Sequence, residues 1–111
     1  MSLPMQLNNL ERFALDKLLQ ELPPAAPGLI GEGARVLERV ETPAGFFAVI
    51  DLQRDLRDVG GLAEREWKFK LKRQKSAGYF VCWPEGNSRL CLEAVINKGS
   101  RPAVFAPELF V

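Results

Sequence analysis

The sequence predicts an α+β fold, an N-terminal helix packed on a four- to five-stranded, mostly antiparallel sheet, and three observations carry that prediction. Leu7, Leu10, Ala14, Leu18 and Leu22 recur at three- and four-residue spacing, which draws the apolar stripe of a helix buried on one side. Trp67, Phe69 and Leu71 alternate with Lys68, Lys70 and Lys72, the period of a strand with one dry face and one wet face. Residues 79 to 96 form two apolar runs on either side of Gly86-Asn87, the pattern of a β-hairpin.

In chain order, Asn8 is placed to cap the helix, and Glu11 three residues later completes the pattern of a capping box. Pro23-Pro24 ends the helix because proline lacks the amide hydrogen and clashes with the preceding turn. Residues 23 to 33 hold three prolines and three glycines and read as an ordered connection. Two β-rich runs follow, Arg35 to Glu41 and Phe46 to Leu52, joined by the turn residues Thr42-Pro43-Ala44-Gly45. Residues 53 to 66 are charged, contain Gly60-Gly61, and read as a long loop or one broken helical turn. After the alternating strand and the hairpin, residues 103 to 105 suggest a short edge strand.

The hairpin is specific enough to assign faces. With Gly86-Asn87 as a two-residue turn, Trp83 faces Leu90, Val81 faces Leu92 and Cys82 faces Cys91. Tyr79, Val81, Trp83, Leu90, Leu92, Ala94 and Ile96 then share the core face. Phe47, Val49, Phe80, Cys82, Cys91 and Val95 are left pointing to the opposite face. A helix of about 14 residues is only about 21 Å long and covers one face of a sheet. The second face therefore calls for another cover.

At 111 residues the chain is the size of a single domain, expected to span residues 1 to 111 and to bury roughly 65% of its unfolded surface. Its 47% hydrophobic and 26% charged residues are ordinary for a globular domain, which argues against a disordered or fibrous chain. No apolar run approaches the length of a membrane span and no signal-peptide pattern opens the chain, so the expectation is a cytoplasmic protein without membrane association. The absence of histidine removes the commonest general base and metal ligand, and two cysteines fall short of a zinc site, so no catalytic residue, metal or cofactor is assigned.

Four groups of residues could carry chemistry. Cys82 and Cys91, opposite each other in the two-residue-turn register, could form a cross-strand disulfide. Their plainer reading as reduced, buried small hydrophobes is favoured. Cys82, Cys91, Glu93 and Trp83 could line a ligand or enzymatic pocket. Lys68, Lys70, Lys72, Arg73 and Lys75 form a basic run beside Trp67, Phe69 and Tyr79, which admits a nucleic-acid reading. Net charge is only +1, however, and residues 64 to 75 hold six basic against two acidic residues while residues 1 to 63 hold six against nine. Lysines on a strand edge also discourage aggregation without any ligand, so a solvated face is favoured over nucleic acid. The acidic residues Glu38, Glu41, Asp51, Asp55 and Asp58 have no spacing that specifies an acid/base pair or a cation site.

The run Glu11-Arg12-Phe13-Ala14-Leu15-Asp16-Lys17-Leu18-Leu19, then Arg35 to Glu41, then Ala44-Gly45-Phe46-Phe47, resembles small uncharacterised bacterial α+β proteins with a leading helix and a Gly-Phe-Phe strand. The resemblance covers roughly the first half of the chain and implies no activity. The functional expectation rests on the residues instead. It is a non-enzymatic interaction or accessory protein that uses the second sheet face, Phe47, Val49, Phe80, Cys82, Cys91 and Val95, for a homodimer or a protein partner.

Overall fold

The computed structural model describes residues 5–19, 33–53, 63–71, 76–99 and Phe110. Within them the architecture is α+β: one helix, α1 (Asn9–Leu19), packs on an antiparallel sheet. The strands are β1 (Arg35–Thr42), β2 (Gly45–Asp51), β3 (Arg65–Lys70), β4 (Ala77–Glu85) and β5 (Arg89–Lys98), in the spatial order β1-β2-β5-β4-β3. No helix among the described residues is long and apolar enough to cross a membrane. The Pro-rich connection, Lys72, Arg73 and Lys75, most of the charged loop and the suggested edge strand at 103 to 105 lie outside the described residues.

The helix begins as its sequence requires. The Asn8 side-chain oxygen accepts from the Glu11 amide at 2.8 Å, and Glu11 accepts from the Asn8 amide at 2.8 Å, the two reciprocal bonds of a capping box. Leu10, Ala14, Leu15 and Leu18 are buried against the sheet. At the other end, the Arg65 side chain donates to the Leu18 carbonyl, so a cation of β3 satisfies an orphan acceptor at the negative end of the helix dipole.

The side of the sheet beneath α1 is the core. Val36, Phe46, Ala48, Ile50, Phe69, Phe80, Cys82, Leu90, Leu92, Ala94 and Ile96 come together there. Phe13 of the helix stands 6.1 Å from Trp67, 6.3 Å from Phe80 and 5.2 Å from Phe110 by ring centroids, and Phe69 lies 4.8 Å from Phe80. Such aromatic pairs add about 0.5–1.5 kcal/mol each beyond the area they bury. Lys17 places its ammonium 5.6 Å from the Phe13 ring and 5.8 Å from the Trp67 ring, closing the cluster at its wet end. The alternation read in β3 holds, with Trp67, Phe69 and Leu71 inward and Lys68 and Lys70 exposed.

The chain ends engage the two outer strands. Met5 pairs with Val36 of β1, and Phe110 pairs with Leu71, the residue that continues β3. β1 itself carries a bulge between Val36 and Glu38. Val36 sits opposite Ile50 and Arg39 opposite Ala48, both on the core side, although an uninterrupted strand would put Val36 and Arg39 on opposite faces. The extra residue Leu37 therefore turns Arg39 toward the helix. Arg39 donates to both carboxylate oxygens of Glu11, at 2.7 and 2.6 Å, and Glu11 is 1% exposed. Glu11 thus ties the first turn of α1 to β1 while capping the helix.

The hairpin departs from its expected register. Glu85 pairs with Arg89, Trp83 with Cys91, Cys82 with Leu92 and Phe80 with Ala94, which leaves Gly86, Asn87 and Ser88 as a three-residue loop entered at the positive φ of Gly86, 72°. The added loop residue shifts β4 by one position against β5, and a one-residue shift exchanges the faces of a strand. Phe80 and Cys82, expected on the second face, are core residues with no exposed surface. Tyr79, Val81 and Trp83, expected in the core, point away from α1.

Candidate functional site

The far face of the sheet is the candidate site, and its layout follows from the strand registers. Working from the hairpin turn, the first row across the sheet holds Arg35, Asp51, Arg89 and Glu85. The second holds Glu38, Val49, Cys91 and Trp83, and the third Val40, Phe47, Glu93, Val81 and Glu66. The fourth holds Thr42, Gly45, Val95, Tyr79 and Lys68. Apolar side chains fill most of the middle rows; charges occupy the first row and the margins, and Glu93 stands among the apolar groups on β5. Phe47 and Trp83 stand 6.2 Å apart across β5. Phe47, Val49, Trp83, Val95 and Tyr79 are half-buried and Val40 is 43% exposed. No helix or strand among the described residues lies over them; α1 packs on the other side, against β3 and β4.

Of the residues assigned to this face from sequence, Phe47, Val49, Cys91 and Val95 are there. Phe80 and Cys82 are not, and Tyr79, Val81 and Trp83 take their places. Two signals favoured the observed register. It sets Glu85 directly against Arg89, an opposite-charge cross-strand pair that the two-residue turn forfeits. It also puts Tyr79 and Trp83, whose rings carry polar atoms, on the half-exposed face while Phe80 enters the dry core.

The two thiols belong to different environments. Cys82 pairs with Leu92 on the core face, whereas Cys91 pairs with Trp83 on the far face, so they are neither opposite nor on one side of the sheet. Both are free. Burial pushes the Cys82 thiol up to about 11, against a smaller opposing pull from Arg65. Burial and then a hydrogen bond donated by Cys91 to Glu85, at 3.0 Å, push the Cys91 thiol up to about 12. Protonated thiols at neutral pH are poor nucleophiles and poor metal ligands. The pocket suggested around Cys82, Cys91, Glu93 and Trp83 is accordingly split by the sheet, with Cys82 on one side and the other three on the far side. Among the described residues no three His, Cys, Asp or Glu side chains gather to hold a metal ion.

The basic run is also divided from most of its rings. Lys68 and Lys70 are exposed on the far side of β3, but Trp67 and Phe69 lie on the core side, stacked with Phe80. Tyr79, paired with Lys68, is the ring beside them. Compared with models of protein families, with curated proteins and with solved structures, the chain matches none.

Proposed function

We propose that this protein is a non-enzymatic interaction protein whose far sheet face docks a protein partner. The observation that supports the reading is the apolar field of Val40, Phe47, Val49, Trp83 and Val95, which spans β1, β2, β5 and β4 on the face opposite α1. Contiguous apolar surface of this kind, rimmed by charges, marks association sites on proteins. Aromatic anchors such as Phe47 and Trp83 at the centre and charged residues at the margin fit the usual anatomy of such sites.

Size-exclusion of an extract of the native cell tests the proposal. The chain is expected to migrate well above its 12.4 kDa mass, and Phe47→Ser is expected to return it to that mass without lowering its unfolding free energy in urea by more than about 1 kcal/mol, because Phe47 lies outside the core. Migration of the unaltered chain as a free monomer contradicts the proposal.

A further inference from the structure

We infer that the occupant of this face is a different protein segment that presents one lysine or arginine within an apolar surface, and not a second copy of the chain. The inference rests on the docking reading above and on the placement of Glu93. Glu93 sits on β5, the middle strand of the described sheet, in the third of the four rows. Its cross-strand partners are Phe47 and Val81, and Cys91 and Val95 flank it along the strand on the same face. It is half-buried, and no described residue donates a hydrogen bond to its carboxylate or forms an ion pair with it. The second and third rows add carboxylates at their margins, Glu38 and Glu66, and no lysine or arginine.

A central carboxylate decides between partners. Two copies docked face to face about a two-fold axis through the middle of the site bring Glu93 against its own mate, because a residue on the axis meets itself. Two carboxylates removed from water together repel, and an anion left unpaired in an apolar contact is costly. A partner with a cationic side chain ringed by apolar groups removes both penalties: the cation pairs with Glu93, and the apolar groups meet Phe47, Trp83 and Val95. The charge of the face therefore selects against self-association while the apolar field favours contact.

Sedimentation of the wild-type chain and of Glu93→Leu, together with selection from a displayed library of short random peptides on wild-type and Glu93→Gln baits, tests this. The wild-type chain is expected to stay monomeric at high concentration and Glu93→Leu to dimerise. Peptides taken by the wild type are expected to carry a Lys or Arg flanked by apolar residues and to bind Glu93→Gln at least about tenfold more weakly. Glu93→Gln keeps the size and shape of the side chain, so it serves even if Glu93→Leu misfolds. A wild-type dimer that Phe47→Ser dissociates, or selected peptides with no basic position, overturns the inference and leaves the docking face standing. Absence of any peptide whose binding Phe47→Ser abolishes overturns both.

Discussion

Glu11 does two jobs with one carboxylate. It accepts from the Asn8 amide to cap the helix and from the Arg39 guanidinium to hold the helix on β1, and it is buried while doing so. The hydrogen bond that Arg39 donates to Glu11 raises the guanidinium above its usual value, ahead of the opposing effect of burial, so Arg39 stays charged. Removing Arg39 strands a carboxylate that is 1% exposed, and Arg39→Ala is predicted to cost about 3 kcal/mol in urea unfolding. Replacing both, as Glu11→Leu with Arg39→Leu, is predicted to cost less than the sum of the single changes, which a double-mutant cycle reads directly. The thiols make a second prediction at this scale. Cys82 and Cys91 keep their protons up to about 11 and about 12, above the 9.0 of an unperturbed thiol. The unfolded chain therefore loses these protons first as pH rises. Stability is predicted to be unaffected by them below about pH 9 and to fall from there toward pH 12, by up to about 1.4 kcal/mol per pH unit for each thiol. The decline should be shallower in a Cys82→Ala, Cys91→Ala variant; equal slopes contradict the assignment.

At the scale of elements, two single-residue irregularities set which side chains meet. The Leu37 bulge aims Arg39 at Glu11, and deleting Leu37 is predicted to send Arg39 to the far face and destabilise the fold by about 3 kcal/mol, the cost of the stranded Glu11 carboxylate. The three-residue loop at Gly86 to Ser88 aims Phe80 inward and Trp83 outward. Phe80→Ala is predicted to cost about 3–5 kcal/mol, and Trp83→Ala under about 2 kcal/mol because its ring is only half-buried. The reverse order contradicts the register. The same register leaves Cys82 and Cys91 on opposite faces, so oxidation of the native protein is predicted to leave both thiols titratable. These irregularities mark where the sequence was hard to read. The α1 cap, the β1–β2 hairpin and the outward lysines of β3 were legible because each has one dominant pattern: a reciprocal Asn-Glu pair, a Pro-Ala turn, a strict alternation. In β4 both alternating sets are apolar, Phe80 and Cys82 against Tyr79, Val81 and Trp83, so hydrophobicity fits either parity and loop length decides. The face assignments of β2 and β5, whose dry sides are more uniform, were correct.

At the scale of the whole molecule, the one helix among the described residues packs on one side of the sheet, and no described helix or strand lies over the other. That imbalance was legible in the sequence, since a single helix cannot cover two apolar faces, although the residues composing the second face were partly misassigned. The shift of β4 changes the composition of the far face: it exchanges Phe80 and Cys82 for Tyr79, Val81 and Trp83, of which Tyr79 and Trp83 bring rings that carry polar atoms. The lysines of β3 border this field at one edge, and Glu93 stands in its middle. The most direct test of the docking face is site-specific photo-crosslinking in the native cell. A photoreactive residue at position 47 or 95, on the far face, is predicted to give a discrete adduct of defined mass, while one at position 12, on the outer surface of α1, or position 87, in the hairpin loop, gives none. Adducts at 12 or 87 equal to those at 47 and 95, or none at 47 and 95, would contradict the account.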